Sequence, residues 1–194
     1  MKDLLVHTCC GPCFVYPHSI LKDTYRITSY YFNPNIHPSM EYMRRLETLA
    51  GFCSSAGVDL RVGEYDPQVY LRAVAGNEND RCRTCYSIRL NEAARFAAEK
   101  GYDAFTTTLL ISPYQKHELL NQLGVEIGSH YGIEFKYWDF RPGFRAGQER
   151  AKELDMYRQP YCGCIYSELE RYAKKLNTTM DAVRGNNRES RTTG

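Results

Sequence analysis

The stretch Leu4-Leu5-Val6-His7-Thr8-Cys9-Cys10-Gly11-Pro12-Cys13 decides how the rest of the chain is read. Its first four residues make a short apolar strand, Gly11 permits a tight turn, and Pro12 suits a helix start. The same alternation then repeats. Strands are expected at residues 26–32, 58–62, 103–108 and 133–138. A helix over 39–55 carries Tyr42, Leu46, Leu49 and Phe52 at three- and four-residue spacing and stops at Gly57. Asn79 or Asp80 caps a long helix that ends at Gly101, and Ser112-Pro113 opens another that runs to Leu123. Further helices are expected at 147–153 and 167–176. Regular strand–helix alternation predicts an α/β fold, an open doubly wound and mostly parallel sheet with an added C-terminal helical segment. One domain over residues 1–176 is expected, followed by a flexible basic tail at 177–194 that lacks apolar periodicity.

In such sheets ligands bind beyond the carboxyl ends of the strands. Those ends carry Thr8-Cys9-Cys10-Gly11, Asn33-Pro34-Asn35, Thr106-Thr107-Thr108 and Asp139-Phe140-Arg141. No Gly-rich phosphate loop is present, so thiols occupy the turn where phosphate-binding backbone would lie, and ATP use is not expected.

The chain has 194 residues and a formal net charge of +2, too small to advertise a polyanion partner by itself. Its only early apolar run, Leu4-Leu5-Val6, is far too short for a signal core or a membrane span, so a cytoplasmic protein without a membrane partner is expected. Against that background eight cysteines need a reason, because a reducing compartment does not maintain a disulfide framework. Cys53 stands alone on an apolar helical face and reads as core. The others fall in three groups: Cys9, Cys10 and Cys13; Cys82 and Cys85; Cys162 and Cys164.

Cys82-Arg83-Thr84-Cys85 at a helix start places two thiols on one face, where the helix dipole, Arg81 and Arg83 favour thiolates. Adjacent Cys9 and Cys10 point to opposite sides of an extended segment and share one centre only if the turn rotates one of them. Cys162-Gly163-Cys164 has both thiols on the same side and suits either a metal clamp or an easily reduced disulfide. Seven thiols exceed the four ligands of one zinc ion or one four-iron cluster. One four-thiolate centre plus three further thiols, as a redox pair or holding a second metal, is the simplest reading, with iron preferred over zinc.

Five motifs, read in order, then carry a resemblance. Leu5-Val6-His7-Thr8-Cys9-Cys10-Gly11-Pro12-Cys13, Cys82-Arg83-Thr84-Cys85-Tyr86, residues 105–115, Asp139-Phe140-Arg141-Pro142-Gly143-Phe144-Arg145 and residues 157–164 resemble the cobalamin-independent epoxyqueuosine reductases, the QueH family. The resemblance covers roughly residues 3–172. It implies a Rossmann-like sheet of the adenine nucleotide alpha-hydrolase (HUP) type. It also implies an iron–sulfur enzyme without cobalamin that reduces epoxyqueuosine to queuosine at the wobble position of tRNA, the last step of queuosine biosynthesis.

Under that resemblance, Cys9, Cys10, Cys82 and Cys85 are expected to hold a [4Fe-4S] cluster. Cys162 and Cys164 are expected to act as a redox pair or to bind an adjacent mononuclear iron, and Cys13 to join either set. An iron with an open position would polarise the epoxide oxygen. Asp139 is either the proton donor or the ion-pair partner of Arg141. Tyr114, Gln115, Arg141 and Arg145 are expected to contact substrate. His117 reads as a solvated helix residue and His7 as a hydrogen-bonding strand end rather than a ligand.

The expected partners are epoxyqueuosine-bearing tRNA and a low-potential electron donor such as a ferredoxin or flavodoxin. Basic residues gather late, at Arg171, Lys174, Lys175, Arg184, Arg188 and Arg191, and 16 tyrosines are available for base stacking. Two other readings remain open from the residues alone. One is a zinc-stabilised nucleic-acid-binding module using Cys82, Cys85, Cys162 and Cys164; the other is a thiol-dependent sulfur-transfer enzyme acting on tRNA through Cys9 and Cys10.

Overall fold

The computed structural model describes the backbone of residues 1–189 and the side chains through residue 184. Five strands, β1 (Lys2–His7), β2 (Tyr25–Tyr31), β3 (Asp59–Val62), β4 (Ala104–Thr107) and β5 (Glu134–Phe135), form one sheet in the order β3-β2-β1-β4-β5. Every pairing is parallel. The chain winds outward from β1 to β3 and then returns across β1 to β4. The switch point therefore lies between β1 and β4, where a doubly wound sheet opens a crevice at its carboxyl edge.

Seven α-helices connect and flank the strands among the described residues: α1 (Gly11–Leu21), α2 (Ser39–Ala56), α3 (Pro67–Val74), α4 (Arg81–Lys100), α5 (His117–Tyr131), α6 (Phe144–Glu153) and α7 (Ile165–Glu189). The central strand is covered on both faces, so Leu4, Leu5 and Val6 are fully buried, as a continuous apolar run requires. Gly57 and Gly101 end α2 and α4 in the left-handed region, at φ 67° and 73°, where a side chain is disfavoured. Cys53 is buried in the core, and burial pushes its thiol up to about 11.

Several boundaries differ from the sequence expectation. The helix expected from Ser112 starts at His117, because residues Thr108–Ile111 take a tight 3-10 turn first, and it runs on to Tyr131. The fifth strand shrinks to Glu134–Phe135 at the sheet edge, where only one neighbour is available for pairing. Helix α3 was not anticipated; Asp66 caps it by accepting from the Gln68 N–H at 2.9 Å, and Tyr70 and Val74 face inward. Helix α7 continues past Leu176 to Glu189, with Met180 and Val183 extending the spacing of Ile165, Leu169, Tyr172 and Leu176. The remainder of the expected tail, 190–194, lies outside the described residues.

Close packing on the β4–β5 side depends on Gly124. A Cβ there would lie 2.4 Å from the buried Phe135 ring. Gly124→Ala gains up to about 1 kcal/mol of helix propensity but overlaps that ring, and such overpacking costs about 1–3 kcal/mol. A net loss of about 1–2 kcal/mol is expected in chemical denaturation; an unchanged or raised midpoint would show that the ring yields freely.

Candidate metal centre

The turn after β1 bends so that Cys10 caps α1, its sulfur accepting from the Cys13 N–H at 3.4 Å. That geometry rotates two adjacent cysteines onto one side. The Cys9 and Cys10 sulfurs lie 3.7 Å apart, and Cys9, Cys10 and Cys13 are buried with their sulfurs all within 4.8 Å of one another. From the β4 side, Thr108 accepts from the Cys9 N–H at 3.1 Å and its hydroxyl donates to the Cys9 sulfur at 3.4 Å. The group therefore occupies the switch point itself. Gln159 reaches in from the segment after α6, its amide donating to Cys10 at 2.8 Å and to Cys13 at 3.4 Å.

Three buried thiols this close share negative charge unequally. Hydrogen bonds received from Cys10 and Cys13, with the charge of Arg89 in support, hold the Cys9 thiol well below its ordinary value. Burial pushes Cys10 up, and donation to its two neighbours pushes Cys13 up.

Of the other four clustered cysteines, Cys85 and Cys164 pack together on the neighbouring side of α4. Cys85 and Cys164 pack with Tyr70 and Val74, so the unanticipated α3 forms their wall. Cys82 sits half-buried at the start of α4, and Cys162 lies in an exposed loop. Each feels the charge of Cys164, and Cys85 and Cys162 share the field of Arg89. Burial raises Cys85 to about 12 and raises Cys82 as well. The Cys164 sulfur accepts from the Ser167 N–H at 3.4 Å at the start of α7, as Cys10 does on α1. Cys10, Cys82 and Cys164 thus all stand at helix N-termini, and at Cys10 and Cys82 burial outweighs the helix charge expected to favour thiolates. Gly163 has φ 137°, which gives the Cys162–Cys164 loop a backbone shape that side chains rarely adopt.

The sequence expectation joined Cys9 and Cys10 to Cys82 and Cys85. Among the described residues Cys9, Cys10 and Cys13 form a compact group, with Cys13 on the Cys9–Cys10 side because the tight turn draws it back onto its own strand end. Cys162 and Cys164 are both free thiols and stand with the α4 pair.

Two buried arginines frame these groups, and neither was anticipated. Arg45 pairs with Glu41 at 2.7 Å and donates to the Cys162 and Tyr161 carbonyls at 2.9 and 3.1 Å, tying the Cys162–Cys164 loop to α2. Arg89 donates to the Asn33 amide oxygen at 2.7 Å and to the Cys85 sulfur at 3.7 Å. Its place four residues after Cys85 was the available signal, since that spacing shares a helix face. Arg45 gave no such signal, because its partners are remote in sequence.

The remaining expected site residues divide clearly. Gln115 bridges the site, accepting from the Tyr86 hydroxyl at 2.7 Å and donating to the Cys162 sulfur at 3.5 Å. Tyr114 is 85% exposed beside it, and Arg145 is also exposed. Asp139 accepts both arms of Arg141 at 2.7 and 2.6 Å, and that hydrogen bonding lowers its carboxyl to about 2. Asp139 is thus paired with Arg141 in this structure. His117 is buried rather than solvated, its Nε2 3.1 Å from the Ser112 carbonyl, because α5 begins with its first turn against the sheet. His7 is fully buried between the Phe32 carbonyl and the Thr107 hydroxyl, as a hydrogen-bonding group.

The fold and the sequence place this chain among known proteins. A sequence profile described as Epoxyqueuosine reductase QueH matches residues 4–170. The chain belongs to the epoxyqueuosine reductase QueH family. The Dehalococcoides mccartyi member is 38% identical over 173 residues, 88% of this chain and 95% of that protein. The Thermotoga maritima member is 34% identical over 90% of this chain and 94% of that protein. A solved structure described as a predicted subunit of a tRNA methyltransferase from Methanocaldococcus jannaschii matches with a TM-score of 0.55. It covers 79% of this chain and 76% of that one at 15% identity, a likeness of fold alone. As a QueH family member this chain is an oxidoreductase that reduces epoxyqueuosine to queuosine in tRNA.

The family is thereby tied to a buried cysteine group that suits a metal. Soft thiolates are ligands for iron and zinc. The buried Gln159 Oε1, together with both polar atoms of Asn35, lacks a partner among the described residues. Such atoms cost about 1–3 kcal/mol each when left unsatisfied, so the cradle suits a bound polar group. No helix among the described residues is long and apolar enough to cross a membrane.

A pH dependence follows from His7. Burial, then the charge of Arg89, lowers its folded-state value to about 3. The unfolded chain therefore binds the proton first as pH falls. Stability from this group is full above its ordinary value of 6.5 and is lost as pH falls from there toward about 3, by up to about 1.4 kcal/mol per pH unit. His7→Gln flattens that slope in denaturation measured across pH; an identical slope in both proteins would contradict the neutral buried histidine.

Proposed function

We propose that this reductase works through iron held by its seven clustered cysteines and acts at the wobble position of tRNA, closing queuosine synthesis. The buried Cys9–Cys10–Cys13 group at the switch point carries this reading. Metal–sulfur bonds of about 2.3 Å in tetrahedral geometry set ligand sulfurs about 3.8 Å apart, and Cys9 and Cys10 stand 3.7 Å apart. These three would hold a single iron and leave a fourth position open. The wider set of Cys82, Cys85, Cys162 and Cys164 would supply the four thiolates of a [4Fe-4S] cluster.

Deoxygenation breaks both C–O bonds of the epoxide, takes up two electrons and two protons, and releases the oxygen as water. When bound, the iron centres supply single electrons and a Lewis acid for the departing oxygen. The chain supplies the rest. Tyr70, Val74 and Tyr86 are buried around the cysteines and exclude water. The Gln115 and Gln159 amides reach the sulfurs from two sides and present donors to a polar substrate. Asn35, buried with both amide atoms unpartnered among the described residues, offers a further donor and acceptor to hydroxyls of the cyclopentane ring. Tyr114 stands exposed beside Gln115, available to stack on a base, and the exposed Arg141 and Arg145 flank Phe144, whose ring contacts Tyr114, and would meet phosphate. A low-potential one-electron donor, of the ferredoxin or flavodoxin kind, completes the balance.

Protein purified without oxygen is expected to show a broad band near ~400 nm and to hold iron in excess of one atom per chain; zinc alone, or a single metal, would reject this assignment. Cys10→Ser loses turnover of epoxyqueuosine tRNA by more than about 100-fold, beyond the 10–100-fold typical of residues that merely support ligands. Cys53→Ser retains turnover and metal, since that thiol is a core group. Phosphate contacts make turnover at limiting tRNA fall steeply between dilute and physiological salt, and rates indifferent to salt would remove the basic residues from the substrate footprint.

A further inference from the structure

We infer that Arg89 is a positioning residue that compensates the charge of both thiol groups and sets the reduction potential of the metal they hold. The inference rests on the iron reading above and extends it to a residue that touches neither substrate nor metal.

Arg89 is 2% exposed, and no carboxylate lies within ion-pair distance of it among the described residues. Arg45, the other arginine buried to this degree, has Glu41 at 2.7 Å and two carbonyls. Burying an unpaired cation costs several kcal/mol, so a folded chain retains one only where negative charge answers it. The groups that reach Arg89 are the Asn33 amide oxygen, the Cys85 sulfur and the His7 ring. Asn33 carries no charge, and an imidazole such as His7 supplies no anion. What remains is sulfur: Arg89 donates to Cys85, and Cys85, Cys9 and Cys162 are the thiols close enough to answer the guanidinium once metal binding ionises them.

Those three cysteines come from both groups. Arg89 therefore stands between the compact set after β1 and the wider set around α4, and its positive charge has no internal partner until thiolates form. Arginine suits the place better than lysine. Its planar fork addresses Asn33 and Cys85 at once, and it keeps its proton at every working pH.

The consequence for electron transfer follows from Coulomb's law at low dielectric. Each reduction adds one electron, from an external one-electron donor, close to a fixed positive charge. The reduced state gains more from Arg89 than the oxidised state does. The N–H donated to Cys85 sulfur acts in the same direction, since hydrogen bonds to cluster sulfurs raise the potential. Arg89 thus makes the centre easier to load with electrons, and no proton moves on the residue itself.

The test is a redox titration of the full-length, iron-loaded protein with dithionite, followed by visible absorption and electron paramagnetic resonance. Arg89→Gln is expected to shift the midpoint to more negative potential, with Arg89→Lys between it and the parent protein. Asn33→Asp provides an independent arm, because a carboxylate at that position neutralises Arg89 without removing it; it is expected to shift the midpoint in the same direction. Loss of iron loading in Arg89→Gln with loading kept in Arg89→Lys also supports charge compensation. Midpoints unchanged in Arg89→Gln and Asn33→Asp overturn the inference while leaving the iron assignment intact, as does equal loss of loading in Arg89→Gln and Arg89→Lys. Absence of any redox-active centre in the parent protein overturns the iron assignment itself.

Discussion

Three sulfur atoms confined to the turn between β1 and α1 set the terms for the rest of the molecule. A buried thiol resists ionisation, and a buried thiolate raises the cost of the next one. The fold answers with fixed positive charge: the N-terminus of α1 at Cys10, and Arg89 and Arg45 buried nearby. These groups come from α1, α2 and α4, which the sheet order brings together at its carboxyl edge. A doubly wound sheet is suited to this, because its switch point leaves a crevice that loops from both halves line.

The second layer of the site is carried by segments that the sheet does not dictate. The loop from Gln159 to Cys164 is held by Arg45 through two carbonyls, and by the His37 N–H donating to the Gly163 carbonyl at 2.8 Å. Together these ties fix a loop that holds two cysteines and Gln159. Helix α3 then closes the outer side with Tyr70 and Val74. A chemistry that handles electrons needs such a wall, since water and oxygen at an exposed thiolate divert it.

Much of this was legible in the residues. The apolar run at Leu4 to Val6, the Gly57 and Gly101 stops and the parallel sheet all emerge from local rules, because burial on two faces and left-handed caps leave marks in the sequence itself. The core role of Cys53 was equally plain from its apolar helical neighbours. The second half of the site was less so. His117 looks like a surface residue on its own helix and is buried because of where α5 docks. Asp139 was legible as a charged strand-end group, and the pairing of both its oxygens with Arg141 needed the structure.

By itself the sequence determined the fold class, the family and the set of seven thiols, since each depends on residue identity and spacing along the chain. Only the tertiary structure decided how the thiols are grouped and which charges answer them. Cys13 joins Cys9 and Cys10 because a helix starts there, while Cys85 meets Cys164 because α4 and the start of α7 converge on α3. Arg89 and Asn33 are 56 positions apart and meet only after β2 and α4 have packed. Electrostatic compensation depends on distance in space, and no periodicity along the chain encodes it.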